Sequence, residues 1–337
     1  MIKTLAGALT ALALTALAAP PAAAEPPDAE ALLTELKLLY RETGAATEAF
    51  NETDERLRAQ RAEPAELTER LAGTRTDLAA ARRLAGRLAA GESRGGGLTL
   101  PPALGLLLGA DPGRALHDGT VAARAAAAQA AEIDRLVAHE ERADELATAA
   151  REALDAEEAL AERLRRERDE IHRRLDELTA LLAGLTPEEA ADLAALARAG
   201  ADEAQGDLLA SGALGDDARP PSPAGELALE WALSQLGKPY AWGAEGPDAF
   251  DCSGLTSRAW AHAGVTVPRT SRRQWEELPR VPLSALRPGD LVVYHDDASH
   301  VALYAGDGQV VHAPRPGTEV TLDPLAGNPV LGAVRPG

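Results

Sequence analysis

The stretch HVALYAGDGQVVHAP (residues 300–314) has two short apolar segments on either side of Asp307-Gly308. That dipeptide suits a type I′ turn, in which both central residues take a positive φ, so the stretch predicts an antiparallel β-hairpin. The segments GDLVVYH (289–295) and TEVTL (318–322) flank the hairpin and are also strand-like. We therefore expect residues 289–322 to contribute to one antiparallel sheet.

The hairpin carries two histidines near neighbouring strand ends. A two-residue turn would pair Gly306 with Gln309 and Leu303 with His312. We expect His300 and His312 to share a sheet face without lying directly opposite each other.

The stretch FDCSGL (residues 250–255) contains the only cysteine of the 337-residue chain. The apolar spacing of Leu255, Ala259 and Ala263 predicts a helix that begins at or just before Cys252. Backbone N–H groups at a helix N-terminus stabilise a thiolate, the nucleophilic form of cysteine. The competing interpretation is that the thiol is a small apolar residue in a core.

A cysteine at a helix start and a histidine on an antiparallel sheet form the general arrangement of a thiol hydrolase. This combination favours a chemical role for the thiol over a packing role. Cys252 is then the candidate nucleophile and His300 the candidate base, while His312 would orient the base.

Other histidines fit these roles less well. His295 ends a strand but precedes an acidic loop, and His262 lies about 80° away from the thiol on the cysteine helix. One cysteine and two histidines without a suitably spaced carboxylate fall short of a zinc-binding set. We therefore expect neither a metal nor another cofactor.

Six ordered motifs carry a resemblance to a known family over about the last 110 residues. They are GKPYAWG, FDCSGL, PRTS, RPGDLVVY, HVALYAGDG and VVHAP. Together they resemble the NlpC/p60 cell-wall peptidases, which implies an α+β, papain-like catalytic domain. Ala244 departs from the pattern at a position that is often glycine in the family, which affects loop shape and no reacting atom.

The resemblance implies a thiol protease, a peptidoglycan endopeptidase that hydrolyses an amide in the stem peptide. The expected bond joins D-γ-glutamate to a diamino acid. By the same resemblance Cys252 is the nucleophile, His300 is first base and then acid, and His312 orients it. Tyr240 would help the Cys252 amide hold the oxyanion.

Four further residues are candidates for substrate contact. Trp242 would line the cleft or belong to the core, and Arg269 would pair with a substrate carboxylate or form a structural salt bridge. Asp251 and Ser253, which flank the nucleophile, are candidates for binding amine or carboxylate groups.

The N-terminal half has a different character. Heptad registers run from Leu32 to Leu88 and from Leu136 to Leu185, which predicts a long α-helical coiled-coil hairpin over residues 25–190. We expect antiparallel helices of about 90 to 105 Å, with a kink or break near Pro64.

The segment between the two registers, residues 91–113, contains glycines, a proline pair and an apolar cluster. These leucines either cap the hairpin tip or bind another protein, such as a membrane-complex component. The cluster consists of Leu104, Leu106, Leu107 and Leu108.

The remaining boundaries follow from composition. Residues 1–24 have the pattern of a secretory signal peptide, which predicts a secreted, cell wall associated protein. Residues 191–224 are expected to form a short helix, ending near Ala199, and then a flexible linker. Residues 225–337 are expected to form the catalytic domain. The net charge of −19 argues against nucleic acid as a partner.

Three functions remain open from the sequence. The first is a peptidoglycan hydrolase whose coiled coil regulates or docks it. The second is a coiled-coil adaptor of a cell-division or elongation complex with latent catalysis, in which the rod blocks the cleft. The third is an acyltransferase, which would use the same nucleophile with another acceptor.

Overall fold

The computed structural model describes residues 29–94, 111–215 and 219–337. The expected signal peptide and the four leucines of the hairpin tip lie outside these ranges. Within them, no helix combines the length and apolarity needed to cross a bilayer.

In the described part of the N-terminal region there are four helices: α1 (Ala29–Gln60), α2 (Ala62–Arg94), α3 (Pro112–Ala183) and α4 (Pro187–Ala210). Helix α3 has 72 residues, about 108 Å of helix, and both α1 and α2 pack along it. The first predicted helix is interrupted at Arg61, and Pro64 occupies the first turn of α2, where its missing N–H has no intrahelical partner to lose.

Helix α4 corrects the expected short helix and flexible linker of residues 191–224. It has 24 residues and continues to Ala210. The side-chain amide of Gln205 donates to the Gly308 carbonyl at 3.0 Å and accepts from the Ala326 N–H at 2.9 Å. Leu208 and Leu214 pack against the buried core of the C-terminal sheet. The segment therefore attaches the rod to the C-terminal domain.

The C-terminal domain contains helices α5 (Pro223–Leu233), α6 (Cys252–His262) and α7 (Ser271–Glu277). Its six strands form one sheet in the order β1-β6-β2-β3-β4-β5, with antiparallel neighbours throughout. The strands are β1 (Arg280–Val281), β2 (Leu291–Tyr294), β3 (His300–Gly306), β4 (Gln309–His312), β5 (Thr321–Pro324) and β6 (Val330–Val334).

Alternating side chains of the sheet enter two separate cores, as the period of a strand requires. One face packs under helices α5 and α6, and Leu291, Val293 and Leu303 belong to it. The other face, which includes Val292 and Tyr304, packs against residues of α4 and of the loop that follows it. The central strands are consequently buried on both faces.

A register shift decides where the two histidines lie. Leu303 pairs with Val311 and not with His312, because the register shifts between Tyr304 and Gly306. Without that shift, Leu303 would oppose His312, and His300, three residues away, would lie on the other face. The two histidines therefore share a face, as expected from the sequence. The strand register assumed for that expectation was wrong by one residue, and it would have put them on opposite faces.

The glycine of FDCSGL has a packing role. An ideal Cβ on Gly254 would lie 2.3 Å from the carbonyl oxygen of Ala244, which already accepts a hydrogen bond from the Asp251 N–H at 2.9 Å. The N-terminus of α6 can approach this loop closely only without a side chain at that position.

We expect Gly254→Ala to lower the free energy of unfolding by about 1–3 kcal/mol, the usual cost of overpacking. Urea denaturation followed by tryptophan fluorescence measures it, because all four tryptophans lie in the C-terminal domain. Gly73→Ala in α2, where nothing lies within 4 Å of the new Cβ, is the control and should be neutral or slightly stabilising. Equal stability of the two variants would show that α6 moves away from Ala244 without cost.

Candidate active site

Cys252 is the first residue of α6, as the sequence predicts. The helix is capped by Asp251, whose Oδ1 accepts a hydrogen bond from the Gly254 N–H at 2.6 Å. An N-cap carboxylate satisfies one of the backbone donors that have no partner at a helix start. The thiol is thereby held at a fixed point at the end of the helix.

The Arg269 guanidinium binds Asp251 through two nitrogens, at 3.0 and 2.7 Å. It also donates to Ser253 Oγ at 2.8 Å and pairs with Glu245 at 3.2 Å. Asp251 is completely buried, so its charge needs such a partner. Of the two roles open for Arg269, the structure shows the salt bridge, and Asp251 is a cap and an ion-pair partner here.

The two hairpin histidines are in direct contact. His300 Nε2 and His312 Nδ1 are 2.8 Å apart, and His312 Nε2 lies 3.0 Å from Asp323 Oδ2. Both rings are buried. Since the first distance engages Nε2 of His300, Nδ1 is the nitrogen left for another partner.

Asp323 was missed by sequence reasoning, because the predicted strand ended at residue 322. The register supplies the signal that could have found it. Thr321 pairs with His312, and Asp323, two residues further along β5, projects from the same face as Thr321.

The remaining predicted residues are distributed around the thiol. Tyr240 and His295 line the same cleft as Cys252 and His300. Burial lowers the pKa of His295, which has an unusual φ of 64°. His262 is outside the cleft and stacks on Trp231.

Helix α1 fills part of the cleft. Glu48 Oε1 accepts a hydrogen bond from Ser253 Oγ at 2.7 Å, and Glu48 Oε2 accepts one from the Ser271 N–H at 2.6 Å. The Cys252 thiol is directed to Glu48 Oε1 at 3.6 Å. A side chain from the N-terminal helical region therefore lies directly against the candidate nucleophile.

This contact changes the electrostatics of the thiol. Burial, followed by the negative charges of Glu48 and Asp251, raises the pKa of Cys252 well above its usual range. Burial likewise lowers the pKa of His300 well below its usual value. Burial and the two neighbouring carboxyl groups therefore oppose the thiolate that the helix N-terminus was expected to stabilise.

Burial and the charge of Asp251 raise the pKa of Glu48 to about 7. The hydrogen bonds from Ser253 and Ser271 act in the opposite direction. Near neutral pH the carboxyl group is therefore close to its own midpoint of protonation.

Other residues of α1 hold the helix in the cleft. Asn51 Nδ2 donates to Asp251 Oδ2 at 3.0 Å, and Thr47 is hydrogen-bonded to the Tyr240 hydroxyl. Trp242 is covered as well, because its ring meets the ring of Phe50 edge-on at 5.0 Å. The candidate substrate-contact residues thus face α1 in this state.

A cavity of about 350 Å³ remains beside the docked helix. Its lining includes Cys252, His300 and three cationic side chains, Lys37, Arg41 and Arg315. The described ranges contain no group of three His, Cys, Asp or Glu side chains suited to a metal ion. The site thus has the groups for nucleophilic acyl transfer: a thiol, a base and backbone donors at a helix start.

Comparison with known sequences agrees with the motifs. Residues 237–332 match the NlpC/P60 family. A probable endopeptidase of Corynebacterium glutamicum is 42% identical over 118 residues, which is 35% of this chain and 56% of that protein. A probable endopeptidase of Mycobacterium bovis is 41% identical over 108 residues, 32% of this chain and 28% of that protein. The chain thus matches about half or less of the length of these relatives.

Among solved structures, the NlpC/p60 domain of the peptidoglycan hydrolase SagA matches with 30% identity and a TM-score of 0.31. The match covers 33% of this chain and 97% of that one.

We expect Glu48→Ala to raise the alkylation rate of Cys252 by iodoacetamide at least about 10-fold at pH 7.5. The substitution removes a neighbouring negative charge and a steric block, and each pKa unit changes the thiolate fraction tenfold. Cys252 is the only cysteine, so the alkylated fraction of the full chain, measured by mass spectrometry, reports alkylation at this residue. Glu35→Ala, an exposed acidic position on the same helix, is the control. An unchanged rate would mean that Glu48 does not control the thiol.

Proposed function

Because residues 237–332 form an NlpC/P60 family domain, we propose that this protein is a cysteine peptidase that hydrolyses an amide bond in the stem peptide of peptidoglycan. The observation that carries the proposal is the placement of Cys252 at a helix start in a cleft that is also lined by His300, whose ring contacts His312. Relatives named probable endopeptidases support it. We also propose that the N-terminal segment, residues 1–24, directs export of the protein to the cell wall.

The reaction would proceed through an acyl-enzyme. His300 Nδ1 takes the thiol proton as the Cys252 sulfur attacks the substrate carbonyl. The Cys252 N–H and the Tyr240 hydroxyl would stabilise the oxyanion. His300 then protonates the departing amine, and a water activated by His300 releases the acyl group.

The site bound by Glu48 bears on which bond is cut. A carboxylate beside the thiol finds two donors there, the Ser253 hydroxyl and the Ser271 N–H, with the Arg269 charge close by. A γ-linked glutamate has a free α-carboxylate near the amide formed by its side chain. This supports the γ-glutamyl bond to a diamino acid as the one hydrolysed, with the Glu48 carboxylate in the place of the substrate carboxylate.

The coiled coil would regulate the enzyme by occupying this cleft. The docked face of α1 is polar: Thr43, Thr47 and Asn51 are buried together with Glu48. Such side chains are readily solvated when the helix leaves, so docking costs less to reverse than an apolar contact would. The full chain is accordingly a latent hydrolase, and binding of a partner at the hairpin tip would be one means of releasing α1.

The adaptor hypothesis also includes latent catalysis, and the closed cleft fits it better than it fits a constitutively active enzyme. A regulated hydrolase and an adaptor differ in the activity that is expected of the C-terminal part when it is tested by itself. A fragment of residues 186–337 keeps α4 on the sheet and removes α1 to α3. Rapid hydrolysis by this fragment supports a regulated enzyme, whereas an inactive fragment supports an adaptor.

We expect Cys252→Ala and His300→Ala to abolish the cleavage of purified muropeptides by this fragment, with a loss of at least about 10³-fold in kcat. The first removes the nucleophile and the second its base. Mass spectrometry of the digests identifies the bond that is cut. His262→Gln, a histidine outside the cleft, is the control and should retain activity. Normal turnover by the Cys252→Ala fragment would refute the mechanism.

We expect the latency of the full chain to weaken as pH rises. Docking raises the pKa of Glu48 from 4.5 to about 7, so the docked state holds its proton more tightly than the free helix does. The contribution of Glu48 to docking is therefore complete below about pH 4.5 and is lost as pH rises through 7. The change is on the order of 100-fold in the docking equilibrium.

The measurement is the rate of the full chain divided by that of the 186–337 fragment from pH 5 to 8, since the ratio cancels the pH dependence of the chemistry. Burial of His300, which lowers its pKa, opposes docking at acid pH. The Asp251, Arg269, Cys252 and Tyr240 side chains also face Glu48. Glu48→Ala isolates the Glu48 contribution and should give a flatter curve. If the curve of this ratio against pH has the same shape for the wild type and for Glu48→Ala, Glu48 is excluded as the titrating group.

A further inference from the structure

The outer end of the histidine pair is held by a carboxylate with no counterpart in the six sequence motifs. Asp323 Oδ2 lies 3.0 Å from His312 Nε2. The side chain of His312 is only 4% exposed, while that of Asp323 is 45% exposed. A water-accessible carboxylate beside a buried ring remains ionised, and the hydrogen bond from His312 lowers the pKa of Asp323 further.

The direction of each hydrogen bond follows from this charge. An ionised carboxylate only accepts, so the proton between the two groups belongs to His312 Nε2. In the neutral ring, His312 Nδ1 then carries a lone pair and accepts from His300 Nε2–H across the 2.8 Å contact. His300 Nδ1 is consequently left without a proton, which is the form a base requires.

We propose that Asp323 is a positioning residue of the active site, which fixes the tautomers of both histidines and stabilises the imidazolium that forms when His300 takes the thiol proton. The proposal rests on the proposed function. The proton moves from Cys252 Sγ to His300 Nδ1, while Asp323 gains no proton and contributes through His312 alone.

The fold supports this role independently. Thr321 pairs with His312 in the β4–β5 ladder, and Asp323 lies one pleat further on the same face. The other titratable or charged groups around the pair are Tyr294 on β2, His295, Arg315, Cys252 and Glu48.

The tautomers can be tested in the full chain without any turnover. The protein has seven histidines, and long-range ¹H–¹⁵N correlation on selectively labelled rings shows which nitrogen carries each proton. We expect His300 and His312 to be neutral and protonated on Nε2 at pH 7.5. We expect Asp323→Ala to give His312 a mixture of tautomers. A proton on His300 Nδ1 in the wild type, or unchanged tautomers in Asp323→Ala, would overturn the proposal.

The kinetic arm uses the full chain carrying Glu48→Ala, which removes the carboxyl group that lies against the Cys252 thiol. General acid–base catalysis is worth about 10²–10⁴-fold, so Asp323→Ala should lower kcat for muropeptide cleavage at least about 10-fold with little change in KM. Loss of the negative charge should also move the acid limb of kcat/KM to lower pH, because a protonated histidine pair is then less stable.

Asp323→Glu should recover part of the rate, since it restores the carboxylate. Glu319→Gln, which removes an exposed carboxylate from the preceding segment, should change neither kcat nor the pH profile. A kcat for Asp323→Ala within twofold of its parent, or an unmoved acid limb, would reduce Asp323 to a structural residue. If no variant cleaves muropeptides, the hydrolase proposal fails, and the tautomer measurement still decides the role of Asp323.

Discussion

The buried carboxylate of Asp251 is the interaction on which the rest of the site depends. A fully desolvated charge is tolerated only when donors surround it, and Asp251 obtains them from three separate parts of the chain. They are the Gly254 N–H of its own helix, the Arg269 guanidinium and the Asn51 amide of α1. One side chain thereby fixes the helix that begins at Cys252, the neighbouring loop and the docked helix α1 relative to one another.

The same carboxylate links the docking of α1 to the chemistry of the Cys252 thiol. Burial, to which the charge of Asp251 adds, raises the pKa of both Glu48 and Cys252, so the docked state favours a neutral thiol. The thiol is then both covered and chemically unreactive, because the thiolate is the nucleophile. Departure of α1 would remove the steric block and one source of negative charge together. In the proposed function, steric and electrostatic inhibition would therefore both arise from the placement of Glu48.

The donors that would hold a substrate carboxylate are also those that hold Glu48 of helix α1. Ser253 and Ser271 offer one hydrogen bond each to Glu48, and in the proposed function they offer the same bonds to a γ-linked glutamate. A carboxyl group from α1 at this point keeps both the Ser253 hydroxyl and the Ser271 N–H hydrogen-bonded while the helix is docked. This explains how a polar cleft can be closed by a polar helix without a large apolar interface.

Much of the site follows from the sequence because its signals are local. A helix start at Cys252 follows from the apolar spacing after it, and the hairpin follows from Asp307-Gly308 between two apolar segments. The ordered motifs then give the resemblance to the NlpC/P60 family, whose model matches residues 237–332. Such patterns can be recognised in the sequence because the backbone sets the periods of helices and strands over only a few residues.

Tertiary structure decided what depends on register and on contacts distant in sequence. The register shift near Ala305, between β3 and β4, puts His300 and His312 on one face of the sheet. No local sequence pattern predicts this shift. Asp323 becomes part of the site only through strand pairing, and Glu48 only through the docking of a helix 204 residues away from the thiol. Glu48 looks like any other acidic position of a coiled coil in the sequence, because burial and partners, which determine its chemistry, are properties of the folded chain.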